Sequence, residues 1–187
     1  MLAVEKHFPK GTKMRTPFKI MFALILLAGL SACGSTPSSD TVNEQVLDAA
    51  LKIADFDMPD GYRTDFSVSL MGYTLASFRP DDEHSHLYLI QSEKESDGEN
   101  LDEMLEQLAP GANDPQSRMT IIETRSVTMR GQETVLAISE GVDSEGGIYR
   151  QATTAFQGKG GPALLVFSEP IAKWNIETAE ALIASVR

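Results

Sequence analysis

The densest collection of groups able to bind or react lies at Asp81-Asp82-Glu83-His84-Ser85-His86. In an extended stretch the imidazoles of His84 and His86, two residues apart, project to the same side with carboxylates close by, a donor set suited to a divalent metal. Two histidines with no third ligand from elsewhere make a weak site, and an acidic loop entering a strand serves equally as a solvated turn. His84 and His86 are therefore weak metal candidates, and no metal or other cofactor is assigned. His7 is the only other histidine, so a Ser-His-Asp arrangement in the folded part would have to use one of this pair. No G-x-S-x-G turn is present to expose a serine, and no catalytic residue is assigned. Gly158-Lys159-Gly160-Gly161 lacks the spacing that wraps phosphates and reads as a hairpin loop. The acid-rich stretch 93–106 lacks the alternation of an EF-hand loop and reads as a solvated loop and helix face. The chain is expected not to be an enzyme.

A second kind of chemistry attaches to Cys33, the single cysteine. One thiol excludes an intramolecular disulfide and a cysteine-rich zinc site, so stability has to come from a packed core. Arg15 and Lys19 precede an apolar run over residues 20–30. That run suits a secretory signal and falls short of the roughly 20 residues that span a bilayer. Leu30-Ser31-Ala32-Cys33 follows directly: an aliphatic residue, two small residues, then cysteine. This segment resembles the lipobox of bacterial lipoproteins.

The resemblance implies that the Cys33 thiol carries a diacylglyceryl group as a thioether, that the signal, residues 1–32, is cleaved just before it, and that the new amino terminus is acylated as well. Two acyl signals on one residue anchor stably where a single chain binds only marginally. Met14 opens a more compact signal, and residues 1–13 are expected to be an overcalled start. Gly34 follows the cysteine where an inner-membrane lipoprotein of a diderm bacterium tends to have Asp. Outer-membrane sorting, with the protein facing the periplasm, is the expectation.

Charge narrows the partners. The chain carries 16 basic and 27 acidic side chains. Residues 1–32 hold five of the basic groups and one acid, which leaves 11 against 26 and a formal charge of −15 beyond the signal. Such a surface repels phosphate backbones and anionic headgroups, so nucleic-acid binding is disfavoured. The expected partners are the membrane, through the lipid, and another protein of the cell envelope. The alternative is a periplasmic domain that binds a small ligand or a divalent metal.

These groups must be positioned by a fold. With 42% hydrophobic and 23% charged residues, the composition suits one globular domain. Residues 34–40 are Ser, Thr, Pro and Gly with one acid; with the lipidated Cys33 they read as a flexible tether over 33–40, leaving 41–187 as the domain. Thr41 and Glu44 form a capping-box signature before a helix over 42–54. Period-two patterning then predicts strands near 66–70, 73–78 and 86–91. Asn100 is expected to cap a second helix that Pro110-Gly111 stops. Strand patterning resumes at 119–129, 132–140, 148–157 and 163–168, with hairpin turns between. Asn175 caps a terminal helix whose apolar face is Ile176, Ala179, Leu182, Ile183 and Val186.

Runs of strands joined by short links and interrupted by single helices predict an α+β domain: an antiparallel meandering sheet of about seven strands with helices packed on its faces. Phe56-Asp57-Met58-Pro59-Asp60-Gly61-Tyr62-Arg63, the order of elements over about 55–187, and the closing Ile183-Ala184-Ser185-Val186-Arg187 together resemble the PsbP-like fold, an α/β/α sandwich. Members of that group serve as binding or accessory subunits, so the resemblance implies no catalytic residues.

Overall fold

A computed structural model describes residues 39–82, 84–94, 101, 119–142 and 146–187. The described residues begin with helix α1 (Ser39–Ile53) and enter strands β1 (Arg63–Leu70), β2 (Tyr73–Arg79) and β3 (His86–Ser92). It continues through β4 (Thr120–Met129), β5 (Gln132–Val142), β6 (Ile148–Gln157) and β7 (Pro162–Pro170) to helix α2 (Ile176–Ser185). All seven expected strands are present in one antiparallel sheet of order β1-β2-β3-β7-β6-β5-β4. The domain is therefore α+β. Cys33, the expected signal and most of the expected tether lie outside the described residues.

Two turns set the hairpin registers. Met71-Gly72 and Arg130-Gly131 each place both residues at positive φ, 55° and 86° in the first and 50° and 77° in the second. This is the two-residue turn whose twist matches that of antiparallel strands. A glycine at the second position removes half of the steric cost.

The register brings Phe78, Leu87, Phe167, Ala152 and Ile138 into one continuous row across β2, β3, β7, β6 and β5. All five are buried. Both described helices pack on this face. From α1 come Val46, Ala49, Ala50 and Ile53, and from α2 come Ala179, Leu182 and Ile183, followed by Val186, all in the same core. Each set follows the i, i+3, i+4, i+7 spacing of a single helical stripe. On the opposite face Leu75, Tyr88, Ile90, Leu164 and Val166 form a smaller cluster with Leu101. Leu101 is helical; Asn100 and the rest of the expected second helix lie outside the described residues.

Helix α1 starts earlier than its patterning predicts. Ser39 and Asp40 are already helical, so Thr41 lies inside the first turn and is not the cap. Asn175 does cap α2, its side-chain oxygen accepting from the Glu177 N–H at 2.9 Å.

The far end of α1 is closed by the hairpin loop at residue 159. The Lys159 N–H donates to the Ile53 carbonyl at 2.8 Å, and its ammonium donates to the Leu51 carbonyl at 3.0 Å and to Asp55 at 2.8 Å. Those contacts satisfy helix-end carbonyls that have no partner within the helix and place a positive charge where the helix dipole favours one. Asp55 then exchanges two backbone hydrogen bonds with Arg187, at 3.2 and 2.8 Å. The Asp57 N–H donates to the Ser185 hydroxyl, and Arg187 pairs with Asp57. Segment 54–57 and the residues that follow α2 are thus laced together beside the sheet, and residues 57–62 run on to form one wall of a cleft.

Candidate functional site

The stretch 81–86, which holds the weak metal candidates His84 and His86, folds differently from its extended reading. The Asp82 carboxylate accepts from the N–H groups of both His84 and Ser85, at 3.0 and 2.7 Å, and bends the backbone before β3 begins. Its second oxygen accepts from the Ser85 hydroxyl at 3.1 Å and from the Lys173 ammonium at 2.6 Å. Asp82 is thereby committed to an internal turn and an ion pair. His84 lies exposed in the bend, whereas His86 is half-buried on β3 with its ring stacked on Tyr88, centroids 5.6 Å apart. Among the described residues no group of three His, Cys, Asp or Glu side chains is gathered closely enough to hold a metal ion. Glu83 lies outside the described residues.

Asp82 gives a measurable consequence. Partial burial opposes its ionisation, but the bonds from Lys173, His84 and Ser85 outweigh that and hold the carboxyl down at about 2. A group whose pKa is depressed on folding contributes stability above its unfolded value and loses that contribution as the pH falls through the folded one. With the side chain 20% exposed, solvent screening leaves about 1–2 kcal/mol. Asp82→Ala is expected to lower stability by that amount at pH 7. The difference from the parent should shrink as the pH drops from about 4 to about 2, measured by urea unfolding at each pH.

Lys173 links this turn to a second, more deeply placed group. Glu169 ends β7 on the helix-covered face, where its row-mates Leu165 and Phe167 belong to the core. It is only 8% exposed. The Tyr62 hydroxyl donates to its Oε1 at 3.2 Å, and Tyr62 in turn lies against Phe167, ring centroids 5.8 Å apart. Burial pushes the Glu169 carboxyl above its usual range; the nearby charge of Asp82 adds to this, while the Tyr62 bond and Lys173 act the other way. Burial and the adjacent Glu169 push the Tyr62 phenol up strongly. A phenol so held is a hydrogen-bond donor and not an anion at any physiological pH.

Tyr62, Glu169 and Lys173 line a cleft of about 540 Å³ between segment 57–62 and α2. That volume is in the range of small-molecule sites. Asp57, Asp60 and Glu177 add carboxylates to the lining, and Met58 and Leu182 contribute apolar surface. A smaller recess of about 270 Å³ is lined by Trp174, Arg125 and Arg150 among others. Both arginines are already paired: Arg125 with Glu123 at 2.6 Å and Glu180 at 2.5 Å, and Arg150 with Glu140 at 3.0 Å. The larger cleft is the candidate site.

Neither Tyr62 nor Glu169 is a site residue in the sequence reading, where Tyr62 enters only within the fold motif 56–63. A signal was present for Glu169. It follows Leu165 and Phe167 at period two, so the alternation that buries those residues turns a carboxylate inward. Among the described residues no helix is long and apolar enough to cross a membrane. No protein-family model matches the chain, and no curated protein matches it.

Proposed function

We propose that this chain is a lipid-anchored lipoprotein of the bacterial cell envelope, non-enzymatic, whose acidic α+β domain binds or supports another envelope component. The observation that carries the reading is Leu30-Ser31-Ala32-Cys33 placed directly after a charged and then apolar run. On this reading Cys33 holds the lipid, the domain faces the periplasm from the outer membrane, and the partner is a protein, since a strongly acidic surface disfavours nucleic acid. The PsbP-like α/β/α sandwich belongs to the same proposal. Its support is the order of elements, three strands and then four before a closing helix, together with the motif at 56–63.

The second reading is a periplasmic small-ligand or divalent-metal domain. The cleft at Tyr62 and Glu169 favours its small-ligand form, because a concave site with a few convergent polar groups is what such ligands use.

Cys33→Ser tests the anchor. A thioether requires the thiol, so cells expressing the variant are expected to show no incorporation of labelled palmitate into the protein. The variant should stay unprocessed or leave the membrane fraction. Equal labelling of variant and parent overturns the assignment.

A further inference from the structure

A buried carboxylate normally has all its acceptor capacity used, because an unmet polar group inside a protein costs about 1–3 kcal/mol and a charged one more. Glu169 departs from this rule. Its Oε1 accepts from Tyr62, but its Oε2 is shut off from solvent and has no hydrogen-bond partner among the described residues. The charged groups around it do not supply one. Lys173 donates to Asp82, and Arg150, its cross-strand neighbour on β6, is bonded to Glu140. Glu169 as a residue lines the cleft, and rotation about its soft terminal torsion turns the under-satisfied carboxylate toward a donor entering there.

The cleft lining specifies what that donor can be. Four carboxylates line it, on Asp57, Asp60, Glu169 and Glu177; Asp57 is paired with Arg187 and the one lining ammonium, on Lys173, with Asp82, which leaves three carboxylates with no ion pair among the described residues. An anion is repelled, and a neutral ligand would leave the excess charge unbalanced. Met58, Pro59 and Leu182 supply surface for an aliphatic stem. From the unpaired Oε2, the acidic lining and the apolar wall, we infer that this cleft binds a primary ammonium group on a short aliphatic chain, its N–H donating to Glu169. The ammonium belongs either to a free diamine or to a lysine side chain of a partner. The inference rests on the domain being a binding module, and its test is separate from that of the lipid anchor.

Trp174 lines the neighbouring recess and not this cleft, so binding to the chain is read directly, by equilibrium dialysis. The chain, held in a non-ionic detergent at pH 7.5 and constant ionic strength, is titrated with 1,5-diaminopentane, with Nα-acetyl-lysine methylamide and with the uncharged 1,5-pentanediol. Saturable binding is expected with one or both amines and none with the diol. The tighter amine identifies the source: the diamine a free ligand, the blocked lysine a protein partner. Glu169→Gln keeps the shape and removes the charge, and should weaken binding at least ten-fold. Asp48→Asn removes the same unit of charge from the exposed face of α1 and should leave binding unchanged. No saturable binding of either amine, equal binding of the diol, or equal weakening by Asp48→Asn overturns the proposal. The comparison of amines with the diol needs no variant, so the proposal stays open to refutation even if Glu169→Gln does not fold.

Discussion

Phe167→Ala is expected to cost about 3–5 kcal/mol of folding stability, the range for emptying a buried aromatic site. Phe167 is fully buried at the centre of the row that runs from Phe78 to Ile138. Its ring touches Tyr62 on one side and Trp174 on the other, with centroids 5.8 and 6.2 Å away. These two anchored neighbours cannot both move into the space, so much of the cavity should persist. Domains of this kind are held by only about 5–15 kcal/mol, so the variant should be close to its folding threshold. Urea unfolding measures the loss, and the Trp174 emission of the folded variant should shift as the ring contact disappears. A loss below about 1.5 kcal/mol would mean that the helix-covered face is loosely packed.

Gly161→Ala is expected to be nearly as damaging, at about 2–4 kcal/mol, although it adds only a methyl group. Gly161 sits at φ 153°, and a Cβ there would overlap the carbonyl oxygen of Ser92, which is backbone at the end of β3. Backbone cannot yield without opening the β3–β7 pairing. Gly160 provides the contrast. A Cβ at that position meets only the Gln91 side chain, which can rotate at the expense of its 2.9 Å bond to the Gly160 N–H. Gly160→Ala should therefore cost about 1 kcal/mol. Parallel urea melts with unchanged slopes decide the order; a larger loss at Gly160 than at Gly161 would refute the account of this loop.

Much of this fold was legible because its information is local. Period-two runs bounded by Met71-Gly72 and Arg130-Gly131 disclose strands and hairpin turns together, since a turn needing two positive φ angles leaves a glycine in the sequence. The stripe on α2 and its Asn175 cap were equally readable. The start of α1 was not, because Ser38, Ser39, Asp40 and Thr41 are four successive residues of the type that caps helices and nothing local ranks them.

Long-range pairing left no mark of its own. Nothing near β3 states that its neighbour is β7. The candidate cleft suffered most from this. Tyr62 and Glu169 stand 107 residues apart and Asp82 and Lys173 stand 91 apart, so each pair exists only once the sheet is assembled. The acidic cluster at 81–86 drew notice because its members are adjacent in sequence. One of them, Asp82, instead spends its acceptors on the local turn and on Lys173.

The strand order also constrains how the molecule comes into being. Strands β1 to β3 form one meander and β4 to β7 another, and the sheet is joined across them by the β3–β7 seam alone. Along it Leu89 meets Leu165, 76 residues downstream, so the seam closes only after nearly the whole chain is available. Every other strand pair joins consecutive strands. Closing a long loop carries an entropic cost that must be met before the contacts it permits are formed, and non-local pairing is the slow part of folding. The two meanders present their most buried strands, β3 and β7, as open edges until that moment. An emerging chain of this design stays divided and unfinished until β7 arrives, and then completes its core in one late, cooperative step.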